Sequence, residues 1–105
     1  MKMSFKWLVI GASLAASNGV LAAGDPISGR TKAEACLGCH AVASYFNVYP
    51  SYNVPKLAGQ HADYLVAALQ AYKAGTRQHP TMQANAANLS DQDMADIAAY
   101  LSSAK

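Results

Sequence analysis

The chain has 105 residues, a formal charge of +2 and two cysteines, which fits one compact domain and excludes a disulfide-dense scaffold. So small a positive charge also argues against a nucleic-acid-binding protein, which needs a strongly basic face. Alanine is the commonest residue, with 22 copies, and it is the best helix former. An all-α fold is therefore expected.

The first 23 residues have the layout of a secretory signal peptide. Two lysines precede an apolar stretch over 7–16, and small residues end the segment. The apolar run is shorter than the ~20 residues that a membrane-spanning helix needs, which favours cleavage after Ala22 or Ala23 over an uncleaved membrane anchor. Cleavage predicts export to the periplasm and leaves a domain of residues 24–105.

The segment 24–105 carries six basic and six acidic side chains and is therefore neutral. It has no net positive charge to attract nucleic acid or an anionic membrane, and we expect no stable membrane insertion. At about 80 residues a hydrophobic core alone is marginal and usually needs a disulfide, a metal or a large bound group. The two cysteines are candidates to provide one of these.

Three main helices and a short one are predicted in this segment. The first runs from about Ser28 to His40, with Asp25-Pro26 or Ser28 at its start. Residues 41–59 contain two prolines and little helical period, so they are predicted to form an irregular loop. No strand is predicted anywhere.

The other helices follow that loop. An apolar stripe predicts a helix over about 61–74, which Gly75 ends. Pro80 is expected to block a helix in the next loop, and a short helix is predicted over 83–88. The last main helix begins after the N-cap Ser90, where acidic residues occupy the first turn.

The chemistry is concentrated at residues 36–40, which read C-L-G-C-H. Cysteines at positions i and i+3 project from one side of a helical turn and can bond to the two vinyl groups along one haem edge. His40 lies on the same face and can bind the iron. The motif predicts one covalent haem c on Cys36 and Cys39, with His40 as the proximal ligand.

Three other uses of the cysteines compete with haem attachment. A thioredoxin-like redox pair needs a βαβ context, and none is predicted. A disulfide within the motif would close a very small loop and restrain little of the unfolded chain. A zinc site could combine the cysteines with two of His40, His61 and His79, but the paired spacing of zinc modules is missing. Haem also fills the centre of a domain that is too small to fill itself.

Four side chains are candidates for the second axial ligand. Met94 lies on the apolar stripe of the last helix, which predicts core packing, and His61 at a helix start is expected to be a surface or capping residue. His79 precedes Pro80 in a loop and is interpreted as solvated. Met82 lies in an irregular segment that can aim its side chain across a haem, so it is the predicted distal ligand.

A His/Met pair fills both axial positions and raises the reduction potential above that of a bis-His haem. With no other catalytic constellation in the sequence, this predicts an electron carrier without catalytic residues, either a monomer or a subunit. Expected partners are redox proteins such as a membrane cytochrome complex, a terminal oxidase or a periplasmic dehydrogenase. The alternatives are a haem-bearing subunit of an oxidoreductase complex and an open-site haem protein that binds a small gas.

Other short motifs accompany C-L-G-C-H in order along the segment: Gly29, Pro55-Lys56-Leu57-Ala58-Gly59-Gln60, Tyr64-Leu65, Gly75-Thr76-Arg77, Pro80 with Met82, Leu89-Ser90-Asp91 and Ala98-Ala99-Tyr100-Leu101. In this ordered set the chain resembles the small monohaem class I c-type cytochromes of bacteria, and it is similar to one half of the dihaem periplasmic cytochromes of that class. The resemblance implies the class I cytochrome c fold around one haem. It also implies thioethers on Cys36 and Cys39, with His40 proximal and Met82 distal.

The resemblance further implies that the first and last helices cross, with Gly29 allowing close approach to the ring of Tyr100. The stretch after His40 departs from the family, which often has a glycine-rich turn and a shorter path there. Pro50 is predicted to supply the carbonyl that accepts the proton of His40. The aromatic residues of 45–52 are expected to be buried around the macrocycle rather than to face a partner.

Because the segment 24–105 is neutral, docking is expected to rest mainly on apolar contact around an exposed haem edge. Lys56, Lys73 and Arg77 are the side chains expected to orient a partner.

Overall fold

The computed structural model describes residues 24–104, and the predicted signal peptide lies outside them. The elements are, in chain order, α1 (Pro26–Lys32), α2 (Glu34–His40), β1 (Tyr45–Val48), β2 (Ser51–Val54), α3 (Ala62–Ala74), α4 (Pro80–Ala86) and α5 (Asp91–Ser103). Over these residues no helix has the length and apolar character to cross a membrane. The fold is mostly helical, as predicted, with one small hairpin.

The first helix predicted over 28–40 is two helices, α1 and α2, which meet at Ala33. Asp25 caps α1 by accepting a hydrogen bond from the backbone N–H of Ile27. At Ala33 ψ is −4°, and the Cys36 N–H donates to the Ala33 carbonyl at 2.8 Å in a tighter turn. Ala33 is fully buried, so packing fixes a bend that the helix propensity of alanine does not reveal.

The bounds of α3 and the start of α5 agree with the prediction. His61 is the N-cap of α3, and Gly75 ends the helix in the left-handed conformation at φ 81°. Ser90 and Asp93 form a capping box at the start of α5, each side chain accepting a bond from the other's backbone N–H.

The prediction for Pro80 is wrong. It begins α4 instead of blocking a helix, because a residue in the first helical turn needs no N–H partner within the helix. The helix therefore begins and ends earlier than the predicted 83–88.

Residues 45–54 form a β-hairpin, so the prediction of an irregular loop without strands is also wrong. The strands are antiparallel, with Tyr45 opposite Val54 and Asn47 opposite Tyr52. Both strands have the sequence aromatic-Asn-Val at their ends, and aromatic and β-branched residues favour strands. The repeated aromatic-Asn-Val sequence on either side of a Pro-containing turn indicates a hairpin, but the prolines favour the prediction of a loop.

The core lies where α5 packs against α1 and α3, and its buried members are Ala33, Leu65, Ile97, Ala98 and Leu101. The crossing of α1 and α5 is so close that a Cβ on Gly29 would lie 1.9 Å from the Asp96 carbonyl oxygen and 2.9 Å from Tyr100 Cβ. The expected crossing of the first and last helices at Gly29 is confirmed, with the Asp96 backbone and Tyr100 Cβ, rather than the Tyr100 ring, as the nearest atoms. It holds the two helices at a distance that no larger residue permits.

A polar network ties the same two helices together beside this crossing. Lys32 Nζ lies 2.9 Å from an oxygen of Asp93 and 2.6 Å from one of Asp96. Asp96, which is only 3% exposed, also accepts hydrogen bonds from the Asp25 N–H and the Gln92 amide. Hydrogen bonds from the Lys32 ammonium are the main cause that lowers the pKa of each carboxyl to about 2.

Candidate functional site

A cavity of about 330 Å³ opens between α2, the hairpin, α3 and α4. It is lined largely by apolar side chains that include Val54, Leu57, Leu65, Leu69, Tyr72, Ile97 and Leu101. Cys36, Cys39 and His40 line it from α2, and Met82 lines it from α4. The structure thus brings together all four residues that the sequence predicts to hold a haem.

The two cysteines differ in exposure. Cys36 is half-buried beside the core, whereas Cys39 is exposed, and no disulfide joins the two. Burial is the main cause that raises the pKa of the Cys36 thiol, and the neighbouring Cys39 adds to it.

A backbone carbonyl fixes the ring of His40. His40 Nδ1 donates a hydrogen bond to the Pro55 carbonyl at 2.6 Å. Because a carbonyl can only accept, this bond places the proton on Nδ1 and leaves the lone pair of Nε2 available to a metal. The predicted partner, Pro50, is wrong: it lies at the tip of the hairpin, where its carbonyl accepts from Asn47 instead.

Met82 is half-buried in the first turn of α4. The side chains of His79 and Tyr52 hold that turn. The His79 side chain caps α4, with Nδ1 accepting from the Met82 N–H at 3.4 Å. From the hairpin, the Tyr52 hydroxyl donates to Thr81 Oγ1 at 3.2 Å. The Tyr52 ring also meets the His79 ring edge to face, with 4.6 Å between centroids.

The interpretation of His79 as a solvated residue is therefore wrong, because it is a half-buried helix cap. The interpretation of Met94 is confirmed, since its side chain is fully buried in the core. His61 is exposed at the start of α3, as expected for a surface residue. Among residues 24–104, no group of three or more His, Cys, Asp or Glu side chains is placed to hold a metal ion.

Arg77 is placed at the cavity by two tyrosines, which the sequence did not indicate. Its guanidinium donates to the Tyr64 hydroxyl at 3.3 Å and lies 4.8 Å from the centroid of the Tyr72 ring. All three side chains line the cavity. Their positions in the sequence give no hint of this cluster, because α3 carries two of them and the loop after it carries the third.

The cavity meets the requirements of a covalent haem. It is apolar, its volume lies within the ~300–1,000 Å³ usual for a bound organic group, and two thiols face it from one helical turn. A histidine with a free Nε2 and a thioether sulfur complete a set of iron ligands known from c-type haem proteins. The model of the cytochrome c family matches residues 28–105. The chain belongs to the cytochrome c family.

Individual relatives agree with the family. The chain is 45% identical over 84 residues to a cytochrome c4 of Pseudomonas aeruginosa, which covers 80% of this chain but 40% of that protein. It is 42% identical over 84 residues to cytochrome c-554(548) of Halomonas halodenitrificans, covering 77% of this chain and 98% of the relative. This chain thus matches less than half of the longer relative and almost all of the shorter one.

Solved structures place the fold in the same class. A crystal structure of reduced cytochrome c4 from Pseudomonas stutzeri superposes with a TM-score of 0.59 at 26% identity, covering 78% of this chain and 50% of that one. Cytochrome c4 of Acidithiobacillus ferrooxidans gives a TM-score of 0.61 at 30% identity, with 83% and 53% covered. The chain spans about half the length of these proteins and has the class I cytochrome c fold.

Proposed function

We propose that this protein is an exported single-electron carrier with one haem c bound through Cys36 and Cys39. His40 is its proximal iron ligand and Met82 its distal ligand. The observation that carries the proposal is the cavity itself, because C-x-x-C-H and Met82 line one apolar space although they come from helices far apart in the sequence. Bound there, a haem iron takes up and releases one electron.

The protein's own residues keep that exchange simple. The Pro55 carbonyl holds the ring of His40 in one orientation, and the His79 cap holds the backbone of Met82. These two restraints support the proposal, because ligands that the fold restrains move little when the charge on the iron changes. A His/Met pair leaves no open position for oxygen or peroxide.

The test of the ligand set is the absorption spectrum of the ferric protein, exported from a host that attaches haem. We expect a Soret band together with the weak far-red band of methionine sulfur bound to ferric iron. Met82→Ala should lose the far-red band and keep the Soret band. Met94→Leu is the matched control, because it replaces the buried core methionine at nearly constant volume and should keep both bands.

Two results would contradict the carrier function. Rapid binding of carbon monoxide to the reduced wild-type protein would indicate an open sixth position and favour the gas-binding alternative. A colourless product from the same host would remove the haem altogether.

The signal peptide is part of the proposal, with periplasmic partners such as a membrane cytochrome complex, a terminal oxidase or a dehydrogenase. Mass spectrometry of the exported protein should give a mature N-terminus at Ala23 or Gly24, depending on the cleavage site. A mass that retains residues 1–23 would instead support a membrane anchor.

A further inference from the structure

Two cationic side chains line the cavity, and both come from segments other than α2. Lys56 lies two residues beyond the hairpin, and Arg77 lies in the loop that follows α3. Among the described residues that line the cavity there is no carboxylate. The ion pairs within residues 24–104 are those of Lys32 at the crossing of α1 and α5. The cavity lining therefore carries positive charge that none of its own side chains neutralises.

Arg77 is held at the cavity by contacts that leave most of its donors unused. A guanidinium has five N–H donors in a planar fork, and the bond to the Tyr64 hydroxyl is made by one of its two terminal nitrogens. The Tyr72 ring lies 4.8 Å from the guanidinium carbon and attracts the cation through its negatively polarised face. Within the described part of the chain, Tyr64 is the one side chain that accepts a hydrogen bond from this guanidinium. Its other N–H groups are available to a ligand.

The aromatic side chains around the cavity come more from α3 than from the hairpin. Tyr52 lines the cavity from the hairpin, and Tyr64 and Tyr72 line it from α3. Phe46, on the outer face of the hairpin, is 52% exposed, and Tyr49 at its tip is 91% exposed. The expectation that the hairpin aromatics are buried around the macrocycle is therefore wrong for these two. The tyrosines that α3 supplies are the ones that hold the guanidinium.

The covalent bonds to a haem determine which chemistry each side of the cavity meets. Haem carries two vinyl groups along one edge and two propionate carboxylates along the opposite edge. Thioethers to Cys36 and Cys39 hold the vinyl edge at α2. The acidic edge then has to meet lining from other segments, and Lys56 and Arg77 are the cations of that lining. Of the two, Arg77 is the one that neighbouring side chains fix in place.

We propose that Arg77 binds a propionate carboxylate of the haem, with the Tyr64 hydroxyl and the Tyr72 ring fixing its guanidinium. A guanidinium matches a carboxylate through paired, charge-assisted hydrogen bonds. The inference rests on the proposed haem-binding function and adds to it the side chain that recognises the acidic edge of the cofactor. It gives Arg77 a role within the protein, in place of the expected role in orienting a partner.

This contact has a consequence for electron transfer. Ferric haem carries one more positive charge than ferrous haem, so a fixed cation beside the macrocycle disfavours the ferric form. Arg77 is also a stronger choice than a lysine here, because its planar fork holds the carboxylate in one orientation. Arg77 therefore positions the cofactor and raises the reduction potential at the same time.

The contact itself is tested by the resonance Raman spectrum of the exported, haem-loaded protein, in which the bending mode of the propionates responds to hydrogen bonds on the carboxylates. We expect Arg77→Gln to shift this mode to lower wavenumber, because a neutral amide replaces charge-assisted bonds. Arg30→Gln is the matched control: it removes the same charge from an exposed position on α1 outside the cavity lining and should leave the mode unchanged. An unchanged mode in Arg77→Gln would overturn the proposal and favour a role for Arg77 in orienting a partner.

Spectroelectrochemical titration of the same variants measures the reduction potential. At a fixed applied potential, Arg77→Gln should raise the ratio of ferric to ferrous protein about tenfold, which is about 59 mV for a one-electron couple. Arg77→Lys keeps the charge but lacks the fork, so it should restore the ratio to within about twofold of wild type and still shift the Raman mode. Equal ratios in Arg77→Gln and Arg30→Gln would contradict the proposal. If Arg77→Gln is not exported, Arg77→Lys carries the test, and a wild-type Raman mode in that variant would contradict the contact.

Absorption spectra of these samples separate the inference from the carrier function on which it rests. Both Arg77 variants should keep the Soret and far-red bands, because Arg77 supplies no iron ligand. A wild type without the far-red band, whose propionate mode nevertheless shifts in Arg77→Gln, would contradict the His/Met carrier and leave the role of Arg77 standing. Loss of the far-red band in Arg77→Gln with an unchanged propionate mode would assign Arg77 to the support of the Met82 segment and overturn the proposal.

Discussion

The two sides of this small domain are stabilised in different ways. Where α1 crosses α5, backbones touch at Gly29, a buried carboxylate is fully hydrogen-bonded, and Ala33 at the end of α1 is completely enclosed. Around the cavity the candidate haem-binding side chains Cys36, His40 and Met82 are only half-buried, and Cys39 and the hairpin tip are exposed. At the crossing, the protein's own atoms fill the space between the helices. On the other side, the side chains surround a cavity.

This difference separates the roles of the two sides. The helix crossing fixes the geometry of α2 and α5, on which the cavity is built, and it needs no further component to do so. The cavity side gains its apolar contacts only when a large organic group occupies it. Changes at the crossing should therefore affect the stability of the whole domain, and changes near the cavity should first affect the Met82 turn.

The largest effect is expected from Gly29→Ala. The added methyl group would overlap the Asp96 carbonyl, so α1 and α5 have to separate, at a cost of about 3 kcal/mol in the free energy of unfolding. Denaturant unfolding of the haem-loaded protein measures this. Gly38→Ala is the control, because a Cβ there has nothing within 4 Å and should stabilise α2 by about 0.5–1 kcal/mol. Equal stability of the two variants would contradict the close crossing.

A smaller effect is expected from acid. The pKa values of Asp93 and Asp96 are about 2 in the folded protein, against 3.8 for the unperturbed group. A lowered folded pKa gives stability that is fully present above pH 3.8 and is lost as the pH falls through about 2. Lys32→Met removes the main cause of both shifts, so its stability should fall less steeply between pH 4 and 2.

Thermal unfolding across that pH range measures the difference between the variant and the wild type. Arg30→Met is the control, since it removes an exposed positive charge from the same helix without touching these carboxyls. A profile of Lys32→Met that is parallel to the wild type would show that the ion pairs do not stabilise the crossing.

The smallest effect is expected from Tyr52→Phe, which removes one exposed hydrogen bond to Thr81 and keeps the ring contact with His79. The loss is about 1 kcal/mol or less in global stability. On heating, the variant should lose the far-red absorption band at a lower temperature than the wild type, because Tyr52 restrains the turn that carries Met82. Tyr45→Phe, on the same face of the hairpin, should leave that temperature unchanged.

Much of this architecture was predictable from local chemistry. The capping box at Ser90 and the left-handed Gly75 act within a few residues, so their signals survive in the sequence alone. The haem motif and the close approach at Gly29 were likewise expected, the latter from the family resemblance. The residues predicted to hold the haem, Cys36, Cys39 and His40 on α2 and Met82 on α4, line one cavity.

The errors arose where tertiary contacts decide between local alternatives. The bend at Ala33 depends on its burial, and alanine gives no sign of it. Prolines at 50 and 55 favour an irregular loop, and the sequence alone does not show that one lies in the turn of a hairpin and the other follows its last strand. The choice of Pro50 as the partner of His40 failed for the same reason, since the hairpin carries Pro50 away and returns the chain to the site at Pro55.

That return has a consequence for how such proteins diversify. The chain leaves the site at His40 and rejoins it through two bonds, His40 Nδ1 to the Pro55 carbonyl and the Leu57 N–H to the His40 carbonyl at 3.4 Å. Residues 41–54 form an excursion closed at its base, and its outer face touches none of the predicted iron ligands. Residues on that outer face can therefore change while the bond from His40 to Pro55 is kept, whereas the inner face is constrained by the bond from Tyr52 to Thr81 in the Met82 turn.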